Sequence, residues 1–76
     1  MPTINENAVA AANAMSDIPG ISRVDLNERT GAIGIICNNI DARSYDILFG
    51  VAGYYGYRLK NIEPKINSFC INFVPQ

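Results

Sequence analysis

The sequence has no histidine, no tryptophan, only two cysteines and no cluster of basic residues. Each absence removes a class of function. Without histidine there is no Ser-His or Cys-His nucleophile pair, and the commonest general base and zinc ligand are both missing. This argues against an ordinary hydrolytic enzyme. Lys and Arg number 6 against 7 Asp and Glu, a net charge of −1. Phosphate backbones are bound by basic stripes, so nucleic acid is not an expected partner. No apolar run approaches the ~20 residues that span a bilayer, so no membrane partner is expected either. The N-terminus lacks a basic segment followed by an apolar core, and no signal peptide is read there. Two cysteines without an export signal fit a reduced, cytoplasmic protein. Asp17, Asp25, Asp41 and Asp46 show no spacing that pairs carboxylates for acid–base work.

What is present describes one ordered domain, residues 1–76. Hydrophobic residues make up 49% of the chain and charged residues 17%. That composition supports a core, although a chain this short buries only ~60% of its unfolded surface. Thr3 and Glu6 have capping-box spacing, and Ile4, Ala8, Ala11, Ala12, Met15 and Ile18 then share one helical face. Pro19-Gly20 ends that helix. Residues 21–27 alternate, with Val24 and Leu26 on one side and Arg23, Asp25 and Asn27 on the other, as in a half-buried strand. "NERTG" reads as a hairpin turn with Gly31 free to take positive φ. "AIGIICNN" is the returning strand, with Ile33, Ile35 and Cys37 on one face and Ala32, Gly34 and Ile36 on the other.

Asp41 is placed to cap a second helix from Ala42 to about Tyr55. Tyr45, Leu48, Phe49, Ala52 and Tyr55 form its apolar face. Gly50 and Gly53 each weaken it by roughly 1 kcal/mol relative to alanine, which predicts close packing there or early fraying. Gly56 suits the C′ position. "YRLKNIE" reads as a strand, Pro64-Lys65 as a turn, and "INSFCINFVP" as a last strand. There Phe69, Ile71 and Phe73 share one face and Ser68, Cys70 and Asn72 the other. The predicted order is αββαββ.

Residues 3–60 resemble the heavy-metal-associated domain of copper chaperones and metal-pumping ATPases. The resemblance rests on Ile18-Pro19-Gly20-Ile21, on "RVDLNERTGAIGI", and on Gly53-Tyr54 or Gly56-Tyr57 ahead of the next strand. It implies an α+β, ferredoxin-like two-layer sandwich: a four-stranded antiparallel sheet with two helices on one face. The family binds metal through a methionine-x-cysteine-x-x-cysteine loop, which here falls on residues 2–7. Ile4 and Asn7 stand at the cysteine positions. Isoleucine has no donor atom and a neutral amide is a poor ligand for soft Cu(I), so the resemblance carries no metal site. The family's first strand would precede Met1, while this sequence has an extra strand after residue 65. A permuted βαββαβ fold is therefore expected, with the last strand in the first strand's slot. The alternative is a swap of that strand between chains, favoured by a short turn.

Three functions compete. The first is a non-enzymatic interaction or self-association module, whose partner is a second copy or another protein. It would use the helix-free sheet face, where Arg23, Asp25, Ile36, Cys70 and Asn72 are expected. The second is soft-metal binding through Cys37 or Cys70, including a site shared across a dimer. The alternation places these thiols on opposite faces, where one chain cannot join them on a metal. The third is a small-ligand sensor built on "GVAGYYGYRLK", with Tyr54, Tyr55 and Tyr57 near Arg58 and Lys60. That stretch lies at a helix C-terminus, the wrong end for an anion. The tyrosines are expected to pack at the helix end with their hydroxyls in water. No catalytic residue and no cofactor is assigned.

Overall fold

The structure, a computed structural model, describes residues 3–76, with side chains from residue 6 onward. The predicted Thr3 cap and the packing of Ile4 lie outside the described side chains. Six elements follow in order: α1 (Thr3–Ser16), β1 (Ile21–Leu26), β2 (Ile33–Cys37), α2 (Ala42–Tyr54), β3 (Tyr57–Lys65) and β4 (Ser68–Pro75). The fold is α+β. Its four strands form one antiparallel sheet in the order β1-β2-β4-β3. The last strand thus lies inside the sheet, hydrogen-bonded to β2 on one side and β3 on the other.

Strand alternation divides the sheet into two faces. Ile33, Ile35 and Cys37 of β2 stand opposite Phe73, Ile71 and Phe69 of β4. The first five of these are buried and turn toward the helices, and Phe69 is partly buried beside them. Ala11 and Met15 of α1 and Leu48 and Ala52 of α2 complete one cluster with them. Alanine on α1 lets the helix lie close over β1, its main partner in the sheet. Full burial of a large side chain such as Phe73 or Leu48 is worth roughly 1.5–3 kcal/mol.

Local chemistry ends each element. The Ile18 N–H donates to Met15 O at 3.2 Å as α1 closes. Pro19 cannot continue the helix. Gly20 then takes φ 93°, and a Cβ there would lie 3.0 Å from Asn39 O and 3.3 Å from Ile40 Cα. In the β1–β2 turn the Asn27 side-chain oxygen accepts from the Arg29 and Thr30 amides, and Gly31 has φ 78°. Asp41 caps α2 by accepting the Ser44 N–H at 2.8 Å. Gly50 and Gly53 have nothing within 4 Å of a built Cβ, and α2 runs on to Tyr54. Neither close packing nor early fraying occurs at these glycines.

Two sequence expectations are corrected here. The hairpin turn is Ile66-Asn67, not Pro64-Lys65, and β3 continues through Pro64 to Lys65. Asn67 has φ 62°, a left-handed conformation that asparagine tolerates in two-residue turns. Pro64 is accommodated because β3 is an edge strand, where a missing N–H can face outward. The second correction concerns Tyr57. It is 3% exposed, and its hydroxyl donates to Gly31 O at 2.9 Å across the core. It ties the start of β3 to the β1–β2 turn instead of resting its hydroxyl in water.

Two glycines should respond in opposite directions. Gly20→Ala is expected to lose about 1–3 kcal/mol, from positive φ and from contact with the Asn39 carbonyl. Gly50→Ala should gain about 0.5–1 kcal/mol, because it replaces glycine in an open helical position. Denaturant unfolding of the two variants beside the parent measures both.

Candidate functional site

The helix-free face of the sheet is built as two rows running across the strands. In one row, Arg23 of β1 faces Ile36 of β2, which faces Cys70 of β4, which faces Glu63 of β3. In the next, Asp25 faces Gly34, Gly34 faces Asn72, and Asn72 faces Asn61. The five residues expected on this face, Arg23, Asp25, Ile36, Cys70 and Asn72, all fall in these rows. The alternation of β1, β2 and β4 had placed them. Gly34 lies where the alternation of β2 puts it, whereas Asn61 and Glu63 were missed. A bulge between Leu59 and Asn61 shifts the facing of β3, and nothing in the residue types of "RLKNIE" announces it.

Side-chain bonds fix the face. Arg23 Nε donates to Asp25 Oδ1 at 2.8 Å. Both side chains are mostly exposed, so this pair contributes little stability. Asn72 Nδ2 donates to Asn61 Oδ1 at 2.7 Å, and the Cys70 thiol donates to Asn72 Oδ1 at 3.3 Å. Gly34 lies beneath this chain: a Cβ there would come 3.3 Å from Asn72 Oδ1 and 3.4 Å from Cys70 Sγ. The bare glycine leaves a shallow hollow of about 500 Å³ bordered by Asp25, Cys70 and Asn72.

Cys70 is only 7% exposed although it faces away from the helices. Burial pushes its thiol up from the ordinary value, and Glu63 adds to the rise. Cys37 is on the opposite face, within the core, and burial raises its thiol too. A protonated thiol is a poor nucleophile and a poor metal ligand. The two cysteines are both free, and the structure sets them on opposite sides of the sheet. Among the described residues no three of His, Cys, Asp and Glu gather as a metal-holding group. Asn7 donates from Nδ2 to Tyr55 O at 3.1 Å and so joins α1 to the end of α2.

The large apolar side chains that are exposed lie elsewhere. Leu59 and Ile62 on β3 are 40% and 42% exposed, and Ile66 at the turn is 93% exposed. Phe49 on α2 packs edge-on to Phe73, the ladder partner of Leu59, with ring centroids 5.6 Å apart. Phe49 belongs to the apolar face of α2, yet it is 38% exposed. No helix among the described residues is long and apolar enough to cross a membrane. No family model, curated protein or solved structure matches this chain.

Alkaline pH should destabilise the fold. Cys37, Cys70 and Tyr57 all titrate above their ordinary values of 9.0, 9.0 and 10.0 in the folded chain. Between the unfolded and folded values the native state holds more protons, so stability falls as pH rises. Stability should therefore be level below about pH 8 and decline as pH climbs through the ordinary thiol and phenol range. Cys37→Ala should make that decline shallower. Urea unfolding at a series of pH values checks both.

Proposed function

We propose that this chain is a small, non-enzymatic interaction module that works in the cytoplasm and associates with itself through its sheet. The observation that carries the reading is the row of exposed apolar side chains, Leu59, Ile62 and Ile66, along a sheet edge with Phe49 beside it. Apolar groups gathered at an unpaired edge are what strand-to-strand association uses. The open face, with its rows from Arg23 to Glu63 and from Asp25 to Asn61, supplies a second, ordered surface next to that edge.

The same reading treats the fold as a permuted ferredoxin-like sandwich related to heavy-metal-associated domains that has lost its metal loop. The strand order β1-β2-β4-β3 is not that of the unpermuted chain. It becomes so if the last strand is counted first, with β4 antiparallel to β3 and beside β2. That correspondence, together with the Pro19-Gly20 turn, supports the kinship. The asparagine bond from Asn7 to Tyr55 O gives the former metal-loop position a structural role.

Sedimentation equilibrium under reducing conditions tests the association. The mass should rise with concentration from 8.3 kDa toward twice that value. A monomer mass at the highest concentration would remove self-association as the function. Metal loss has its own test. Reduced protein titrated with Cu(I) against a competing chelator should show no tight one-to-one binding, and tight binding that survives Cys37→Ser with Cys70→Ser would overturn the assignment.

A further inference from the structure

The proposed self-association leaves open which surface is used and in what register. We infer that two copies join by antiparallel pairing of β3 with β3 about a two-fold axis, the axis passing between Lys60 and Asn61. This rests on the self-association reading and adds the edge, the partner strand and the pairing.

The first observation is which backbone groups of β3 are unpaired. The Gln76 N–H donates to Gly56 O at 2.9 Å, making residues 56 and 76 a hydrogen-bonded pair. In an antiparallel ladder bonded and non-bonded pairs alternate. Arg58 opposite Val74 is then bonded, and Leu59 opposite Phe73 turns its N–H and C=O outward. At the other end, Pro64 has no N–H and occupies an outward position. Ile62, two residues before it, points the same way. Leu59 and Ile62 therefore carry the free donors and acceptors of this edge, and both have exposed apolar side chains.

The second observation is the bulge. In a regular strand, residues 59 and 62 would lie on opposite faces. The extra residue between Leu59 and Asn61 puts Leu59 opposite Phe73 and Ile62 opposite Ile71, both on the helix side. It likewise puts Arg58 and Glu63 together on the open face, opposite Val74 and Cys70. The stretch Arg58-Leu59-Lys60-Asn61-Ile62-Glu63 becomes complementary to its own reverse. Arg58 meets the second copy's Glu63, Leu59 meets its Ile62, and Lys60 meets its Asn61. Each contact occurs twice in the dimer.

Charge favours this register. Arg58 has no carboxylate at ion-pair distance among the described residues, and Glu63 has only a 3.9 Å contact with Lys65 between half-exposed side chains. Sliding the second copy so that Ile62 faces Ile62 leaves Glu63 opposite Asn61 and, with the bulge counted as one position, sets Leu59 against Pro64 and Arg58 against Lys65, a like-charge pair. The β1 edge also has a self-complementary stretch, Arg23-Val24-Asp25, but none of the exposed large apolar side chains among the described residues lies on it. It is shorter, and its Arg23 and Asp25 already pair with each other at 2.8 Å. Pro64 ends the ladder and prevents pairing from running on past it.

A charge exchange tests the inference. Glu63→Arg and Arg58→Glu should each weaken the dimer by about tenfold or more, since each turns two attractive cross-strand pairs into repulsive ones. The double exchange, Arg58→Glu with Glu63→Arg, should return the dissociation constant to within about threefold of the parent. Circular dichroism verifies folding of each variant. Independently, amide exchange of the unsubstituted protein should show Leu59 and Ile62 protected at high concentration and open at low concentration. A dimer whose affinity ignores both single reversals, or whose Leu59 and Ile62 amides stay open, overturns the edge pairing while leaving self-association in place. A parent that stays monomeric at every concentration defeats both.

Discussion

The pairing of β2 with β4 is the contact on which the rest of the structure depends. Its register aligns Ile33 with Phe73 and Ile35 with Ile71, which makes the sheet side of the core. The same register aligns Gly34 with Asn72 and Ile36 with Cys70, which makes the centre of the open face. A slip by one residue would send the apolar set of β4 to the wrong side and bring Asn72 and Cys70 under the helices. The tight space over position 34 follows from this alignment, because a Cβ there would lie 3.3 Å from Asn72 Oδ1 and 3.4 Å from Cys70 Sγ. Core and surface are thus two consequences of one ladder.

Much of this arrangement was legible in the residue order. Alternation in β1, β2 and β4 assigned Cys37 and Cys70 to opposite faces, and Asp41 and Pro19-Gly20 marked helix boundaries through local hydrogen bonding and backbone constraint. Local chemistry failed where a tertiary partner decided the outcome. Pro64 looked like a turn residue, yet an edge position removes the penalty for its missing N–H. The buried hydroxyl of Tyr57 depends on Gly31, 26 residues away, so nothing next to it in the chain announces the bond. The bulge at Lys60 left no mark in residue type, and with it went the facing of Asn61 and Glu63 on the open face.

The two surfaces differ in character. The open face is tied down: Arg23 is held by Asp25, Asn72 by Asn61, and Cys70 is nearly buried. Its polar side chains bond to one another within the chain, which makes it an ordered surface. The β3 edge is the reverse. It has free backbone groups, exposed Leu59 and Ile62, and an Arg58 with no ion pair among the described residues. Lys60, Lys65 and Pro64 are the residues natural sheets use to discourage indiscriminate edge pairing, so the edge combines an attraction with restrictions on register.

The interior position of β4 has a consequence for the order of assembly. The sheet's central strand is also the last of the six elements to leave a ribosome. Until residues 68–75 emerge, β2 has a neighbour on one side only and β3 has none. Two of the three ladders are local hairpins, but the one that joins them and closes the core links residues 32–40 positions apart. Until β4 emerges, Ile33, Ile35 and Cys37 lack the β4 residues that face them, and the sheet closes only when β4 takes its place between β2 and β3.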